Sequence, residues 1–177
     1  YGFDTVNDVI RMTLLRSARD PTELRAYFGS TLDKRVAAEL TDQGEHHIDY
    51  ALYPHRSDFR EALTARKAYE FNYPLISRIE PGHKGELPKV HSFISAQPEN
   101  IIVTAVKKAE DSDDVILRFY ETSGRDTKAV THIAEAIKGG GETDLLENEI
   151  SLIPVQEEAI EVPISKYEIK TVKIVQS

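Results

Sequence analysis

From residue 87 onward the chain is a succession of short runs of β-branched and aromatic residues, each closed by polar turn formers. Such side chains suit a pleated, half-buried surface, while Asp, Asn, Ser and Gly bond nearby backbone or accept turn geometry, so this half is committed to strands with tight connections. Ile101-Ile102-Val103-Thr104-Ala105-Val106 is almost continuously apolar, which predicts a strand buried on both faces. The run over 115–121 follows it, and the Asp- and Ser-rich stretch over 108–114 between them predicts a hairpin. Further strands are expected over 128–135, in pieces over 142–153, over 160–164 and over 167–175, with Gly139-Gly140-Gly141, Pro154 and Pro163 as punctuation. In the last of these Tyr167, Ile169 and Thr171 share one face but Val172 and Ile174 take the other, which predicts a bulge or burial on both sides.

The first half is less uniform. Alternation predicts strands over 9–15 and 48–53. Asp20-Pro21-Thr22-Glu23 has the cap, first-turn proline and third-position acid of a helix start, and Leu24, Tyr27, Phe28, Leu32 and Val36 supply an apolar stripe. A helical insertion over about 21–41 is the expectation. A second helix is expected from Ser57-Asp58 through Tyr69, ending before Pro74 because the residue ahead of a proline avoids helical angles. The predicted fold is mainly β: a single domain over 1–177, an antiparallel β-sandwich with one or two short surface helices.

At 177 residues there is room for one sizeable core and none for a second catalytic domain. A formal net charge of −8 argues against a nucleic-acid partner, since phosphate binding draws on Lys and Arg. No apolar run is long enough to span a membrane. With no Cys there is no disulfide framework, thiolate metal site or cysteine nucleophile, which fits a cytoplasmic setting.

Candidate chemistry is sparse. Glu45, His46, His47, Asp49 and His55 include natural zinc ligands, but extended backbone sends His46 and His47 to opposite faces, and a polar outer face explains the pattern. Asp111, Asp113 and Asp114 lack the central Gly and terminal Glu of a calcium loop. Gly139-Gly140-Gly141-Glu142-Thr143 lacks the Lys-Ser/Thr ending of a phosphate loop and reads as a flexible turn. Ser57 near His55 and Ser92 near His91 lack a nucleophile elbow. With eight Tyr, six Phe and no Trp, stacking platforms for sugar rings are few.

Read as whole strings, the chain resembles the C-terminal region of glycoside hydrolase family 38, the α-mannosidases, of bacterial, archaeal and cytosolic type. The strings are Tyr1-Gly2-Phe3-Asp4 with Arg11 to Ser17, Asp42-Gln43-Gly44-Glu45-His46 leading to Tyr50-Ala51-Leu52-Tyr53-Pro54-His55, Ala68 with Phe71 to Leu75, Ser92-Phe93 ahead of Asn100 to Asp111, Arg118-Phe119-Tyr120-Glu121, Asp144-Leu145-Leu146-Glu147, and Tyr167 to Thr171. The segment over 21–41 departs from the family pattern.

The resemblance implies hydrolysis of terminal α-linked mannose with retention, on an Asp nucleophile and with zinc held by His and Asp in preceding domains. None of those residues transfers to this sequence, so no catalytic or metal-binding residue and no cofactor is expected within it, and the isolated chain is expected to be inactive. Its expected partners are an N-terminal catalytic domain of the same polypeptide and an α-mannoside or oligosaccharide substrate; a homo-oligomer of the full-length enzyme is compatible with the resemblance. The family further implies that Tyr1, Gly2, Phe3 and Asp4 lie at the active-site rim. The competing readings are an autonomous carbohydrate-binding β-sandwich and a structural interaction module.

Overall fold

The computed structural model describes residues 2–17, 42–156 and 158–176. Residues up to Leu52 and residues from Tyr53 onward group as two units. The expected helical insertion over 21–41 lies outside the described residues.

In the first unit, β1 (Gly2–Val6) and β2 (Val9–Thr13) form an antiparallel hairpin in which Val6 faces Val9 and Gly2 faces Thr13. The two-residue connection Asn7-Asp8 has φ of 50° and 60°. Positive φ at both positions matches the right-handed strand twist, and Asn and Asp reach it at lower cost than other side-chain-bearing residues. The 9–15 strand is therefore present but shorter, and its partner is the string assigned to the rim. Residues 48–53 form no strand. The alternation of Ile48, Tyr50 and Leu52 is there, but alternation makes a strand only where a partner takes up the backbone hydrogen bonds.

The second unit holds the core. Helix α1 (Thr64–Asn72) begins later than its sequence suggests, because Asp58 spends its cap on a turn: Oδ1 accepts from the Arg60 and Glu61 N–H groups at 2.8 and 3.0 Å. Leu63, with φ 52°, then separates that turn from the helix. Arg66 ties α1 to the sheet edge by donating to the Glu99 carbonyl at 2.8 Å and the Ile101 carbonyl at 2.7 Å.

Nine strands follow: β3 (Ile94–Gln97), β4 (Ile101–Lys108), β5 (Val115–Glu121), β6 (Thr127–Ile133), β7 (Ile137–Thr143), β8 (Glu149–Leu152), β9 (Val155–Gln156), β10 (Ala159–Ile164) and β11 (Ile169–Gln176). They make a four-stranded sheet ordered β3-β6-β10-β9 and a five-stranded sheet ordered β4-β5-β11-β7-β8. Every pairing is antiparallel. Leu117, Phe119, Val172 and Ile174 of one sheet pack with Ala129, Ile133, Ile160, Val162 and Ile164 of the other in a single cluster. This is the predicted sandwich. Phe119 is fully buried, worth about 1.5–3 kcal/mol of transfer free energy by itself.

Three local expectations change. β4 is buried on both faces only at Ile101 and Ile102; Val106 is 53% exposed because β4 is the edge of its sheet. Gly139-Gly140-Gly141 is not a turn but the middle of β7. A Cβ on Gly140 would stand 3.3 Å from the Lys173 carbonyl oxygen, and one on Gly141 3.2 Å from that of Ser151, so close approach of the two neighbouring strands accounts for these two glycines. Pro163 lies inside β10, at a position where β9 no longer flanks it, so no ladder bond is lost on that side. The phase change in β11 takes both expected forms: Thr171 and Val172 are buried on opposite faces, and the register against β7 shifts between Val175 and Gln176.

Candidate functional site

Along β5 the inward positions are Leu117, Phe119 and then Glu121, so the strand pattern delivers a carboxylate to the end of the core. Glu121 is only 1% exposed. A buried carboxylate is tolerated when hydrogen-bond donors replace its water. Here five do: Asn100 Nδ2 (2.7 Å) and the Ser123 N–H (2.6 Å) donate to Oε1, and the N–H groups of Gly124 (2.7 Å), Arg125 (3.2 Å) and Tyr167 (3.0 Å) donate to Oε2. Burial alone would raise its pKa; the Tyr167 N–H, the Asn100 amide and the Ser123 and Gly124 N–H groups outweigh it and hold the carboxyl below its ordinary value. The knot thus joins β5, the loop after it, the β3–β4 connection and the turn before β11. Gly124 is required there: its φ is +67°, and a Cβ would fall 2.6 Å from the Tyr167 ring.

Beside this knot lies a cleft of about 390 Å³, bordered by Arg60, Glu61, Glu99, Asn100, Ser123 and Arg125 among others. Arg60 also lies over the Phe59 ring, 5.2 Å from its centre.

A second carboxylate works similarly at a smaller scale. Glu147, at φ 68°, takes the Lys107 ammonium at 2.7 Å and the Glu110 N–H at 2.8 Å, while Asp144 closes the same turn by accepting from the Leu146 and Asn148 N–H groups at 2.8 and 2.9 Å. The Asn148 side chain and N–H lower the Asp144 pKa, and Lys107 and the Glu110 N–H lower that of Glu147.

The other sequence candidates are dispersed. His46 Nε2 lies 2.8 Å from the Asp42 carbonyl oxygen, closing a turn in which Asp42 and Gly44 have φ of 59° and 141°. His47 instead pairs with Glu45 at 3.2 Å. Ser57 donates to Glu61, and Ser92 to the Ile94 carbonyl at 2.7 Å. His55 packs on Tyr53 with ring centres 5.4 Å apart, and the Tyr53 hydroxyl donates to the Ala62 carbonyl at 3.1 Å. Asp113 pairs with Lys108 at 2.5 Å and Asp114 accepts from Ser112 at 2.6 Å, as hairpin-tip residues do. Among the described residues no three His, Asp or Glu side chains converge on one point.

Of the rim candidates, Tyr1 lies outside the described residues. Gly2, Phe3 and Asp4 are in β1: Asp4 Oδ1 meets Arg11 Nε at 2.9 Å across the hairpin, and Phe3 faces Met12 on the opposite side with 77% of its surface exposed.

Residues 100–172 match the family model described as the glycosyl hydrolases family 38 C-terminal beta sandwich domain. The chain carries a family 38 C-terminal β-sandwich. Among similar proteins, alpha-mannosidase G of Dictyostelium discoideum is 30% identical over 125 residues, covering 70% of this chain and 10% of that protein. Alpha-mannosidase of Saccharomyces cerevisiae is 31% identical over 146 residues, 78% of this chain and 11% of the relative. Alpha-mannosidase 2C1 of Mus musculus is 24% identical over 180 residues, 99% and 16% respectively. The chain thus spans about a tenth to a sixth of the length of these curated relatives.

The family 38 strings acquire a physical meaning in this fold. Asn100 of one string reaches Glu121 of another, Lys107 reaches Glu147, Arg118 Nε donates to Thr171 Oγ1 at 3.0 Å, and Tyr167 returns to Glu121. In the sequence Glu121 stands only at the end of the 115–121 strand run and of a family string. The signal that finds it is its place in the inward alternation of β5.

Proposed function

We propose that this chain is the accessory C-terminal sandwich of a zinc-dependent retaining α-mannosidase, supporting the zinc-bearing domain and completing the substrate rim without catalysing alone. The observation that carries the reading is the family 38 sandwich match over 100–172, set against relatives named alpha-mannosidases that are far longer than this chain. In such an enzyme one carboxylate attacks the anomeric carbon and a second protonates the leaving oxygen, and both belong to the preceding domains. Zinc belongs there too, as the Lewis acid of that site.

Two features of the chain suit a supporting role. Phe3, Ile10 and Met12 share one face of the β1–β2 hairpin and are all exposed, an apolar stripe suited to cover by a partner. Leu145, Leu146, Ile150 and Leu152, at and before the edge strand β8, are each more than 60% exposed. The same reading puts Gly2, Phe3 and Asp4 at the rim and the enzyme in the cytoplasm. Among the described residues no helix is long and apolar enough to cross a membrane.

The test is the full-length polypeptide assayed on an aryl α-mannoside with zinc supplied. Turnover lost to a chelator and restored by zinc is expected, with Phe3→Ala raising KM more than it lowers kcat. Full activity in the chelator, or no α-mannosidase activity at all, overturns the reading.

A further inference from the structure

We propose that the cleft between the 58–63 turn, the β3–β4 connection and the 122–127 loop is a glycan-contact site that takes the hydroxyl groups of one neutral sugar residue. Its volume of about 390 Å³ falls within the range of about 300–1,000 Å³ usual for small-molecule clefts. Its charge balance selects the ligand class. Arg60 and Arg125 are offset by Glu61 and Glu99, and both guanidinium groups also act on the nearby Asp58 carboxylate; Asn100 and Ser123 complete the polar lining. Sugar hydroxyls donate and accept at once, so a lining that holds both guanidinium and carboxylate groups suits them, whereas a phosphate would meet two carboxylates.

The cleft has free valence and fixed walls. Among the described residues neither the Arg60 nor the Arg125 guanidinium has a hydrogen-bond or ion-pair partner, and the Glu99 carboxylate is likewise unpaired; Glu61 accepts from Ser57. Ser123 and Arg125 sit on a loop whose backbone is gripped by Glu121, and Asn100 on the facing wall is held by the same carboxylate. The third wall is closed by the Asp58 cap. Groups supported this way lose little freedom when a ligand arrives, which is the condition for binding a weakly adhesive polyol. Such a site would hold a second part of an oligosaccharide, or a product; the choice of a mannoside rests on the accessory-domain reading.

Amide NMR of the full chain, titrated separately with methyl α-mannopyranoside and with inorganic phosphate, tests it. The expected result is saturable shifts with the mannoside at Glu99, Asn100 and 123–125, weakened about tenfold or more in Arg125→Ala, which keeps the backbone N–H on Glu121 and so keeps the loop. No saturable shift, a response to phosphate instead, or a mannoside response unchanged in Arg125→Ala each overturns the site. If the excised chain does not fold, hydrogen exchange over 97–101 and 122–127 in the full-length polypeptide gives the same readout. Loss of this binding with the polypeptide's α-mannosidase activity intact refutes the cleft alone; binding without any such activity refutes the accessory reading alone.

Discussion

Replacing Glu121 by Gln keeps the shape of the knot and removes its charge. In the native chain two oxygens take five donors, four of them backbone N–H groups. Charge-assisted hydrogen bonds contribute about 1.5–3 kcal/mol each, but the five cannot simply be summed, since they share one group and the loop N–H groups can turn to water. Gln retains one acceptor oxygen and points an NH2 group at the remaining donors. A loss of about 2–4 kcal/mol is expected, against a total stability of about 5–15 kcal/mol for a typical domain, lowering Tm by roughly 5–15 °C. Urea unfolding followed by circular dichroism gives the difference, and amide exchange locates it at Ser123, Gly124, Arg125 and Tyr167. The pH dependence carries its own sign. Because the folded pKa of Glu121 is depressed, its contribution is present in full above the unfolded value of about 4.3 and fades as pH falls through the lower folded value. The gap between wild type and Glu121→Gln should therefore be flat near neutrality and close in acid. A variant within 0.5 kcal/mol of wild type at pH 7, on the order of an ordinary surface substitution, would refute the argument.

Three further outcomes follow from the same structure. Gly124→Ala combines a positive φ with a collision against the Tyr167 ring and should cost about 1–3 kcal/mol in urea unfolding; adding Tyr167→Ala should recover only the collision. Thr131→Val should raise stability by about 1 kcal/mol, because the fully buried Thr131 hydroxyl has no hydrogen-bond partner among the described residues; a loss of stability would mean that a water satisfies it. Arg11→Ala should change stability by less than about 1 kcal/mol, since both members of the Asp4–Arg11 pair are 60% exposed, so any larger effect on KM of the full-length polypeptide reads the rim itself.

How much of this was legible depended on whether a signal was local. The β4–β5 hairpin follows from two apolar runs and an Asp-rich connection, and the sandwich from their repetition. The β1–β2 hairpin was missed although Asn7-Asp8 is good turn chemistry, because Thr5 and Val6 give too short an alternation to declare a strand. Residues 48–53 failed the other way: their pattern is right, but among the described residues no strand pairs with them. Gly139-Gly140-Gly141 reads as a turn until strands on both sides are known to press on it. The Glu121 knot needs donors 21 and 46 residues away, which no window of sequence contains. Several family strings meet in contacts that only the fold reveals, closing turns or locking one loop to another.

On the function proposed above, these residues build and anchor a sandwich whose chemistry lies elsewhere in the polypeptide. Assaying the 177-residue chain beside the full-length polypeptide on an aryl α-mannoside, with zinc in both, tests it most directly. Turnover by the full-length polypeptide and none by the chain is expected. Robust turnover by the isolated chain would contradict it.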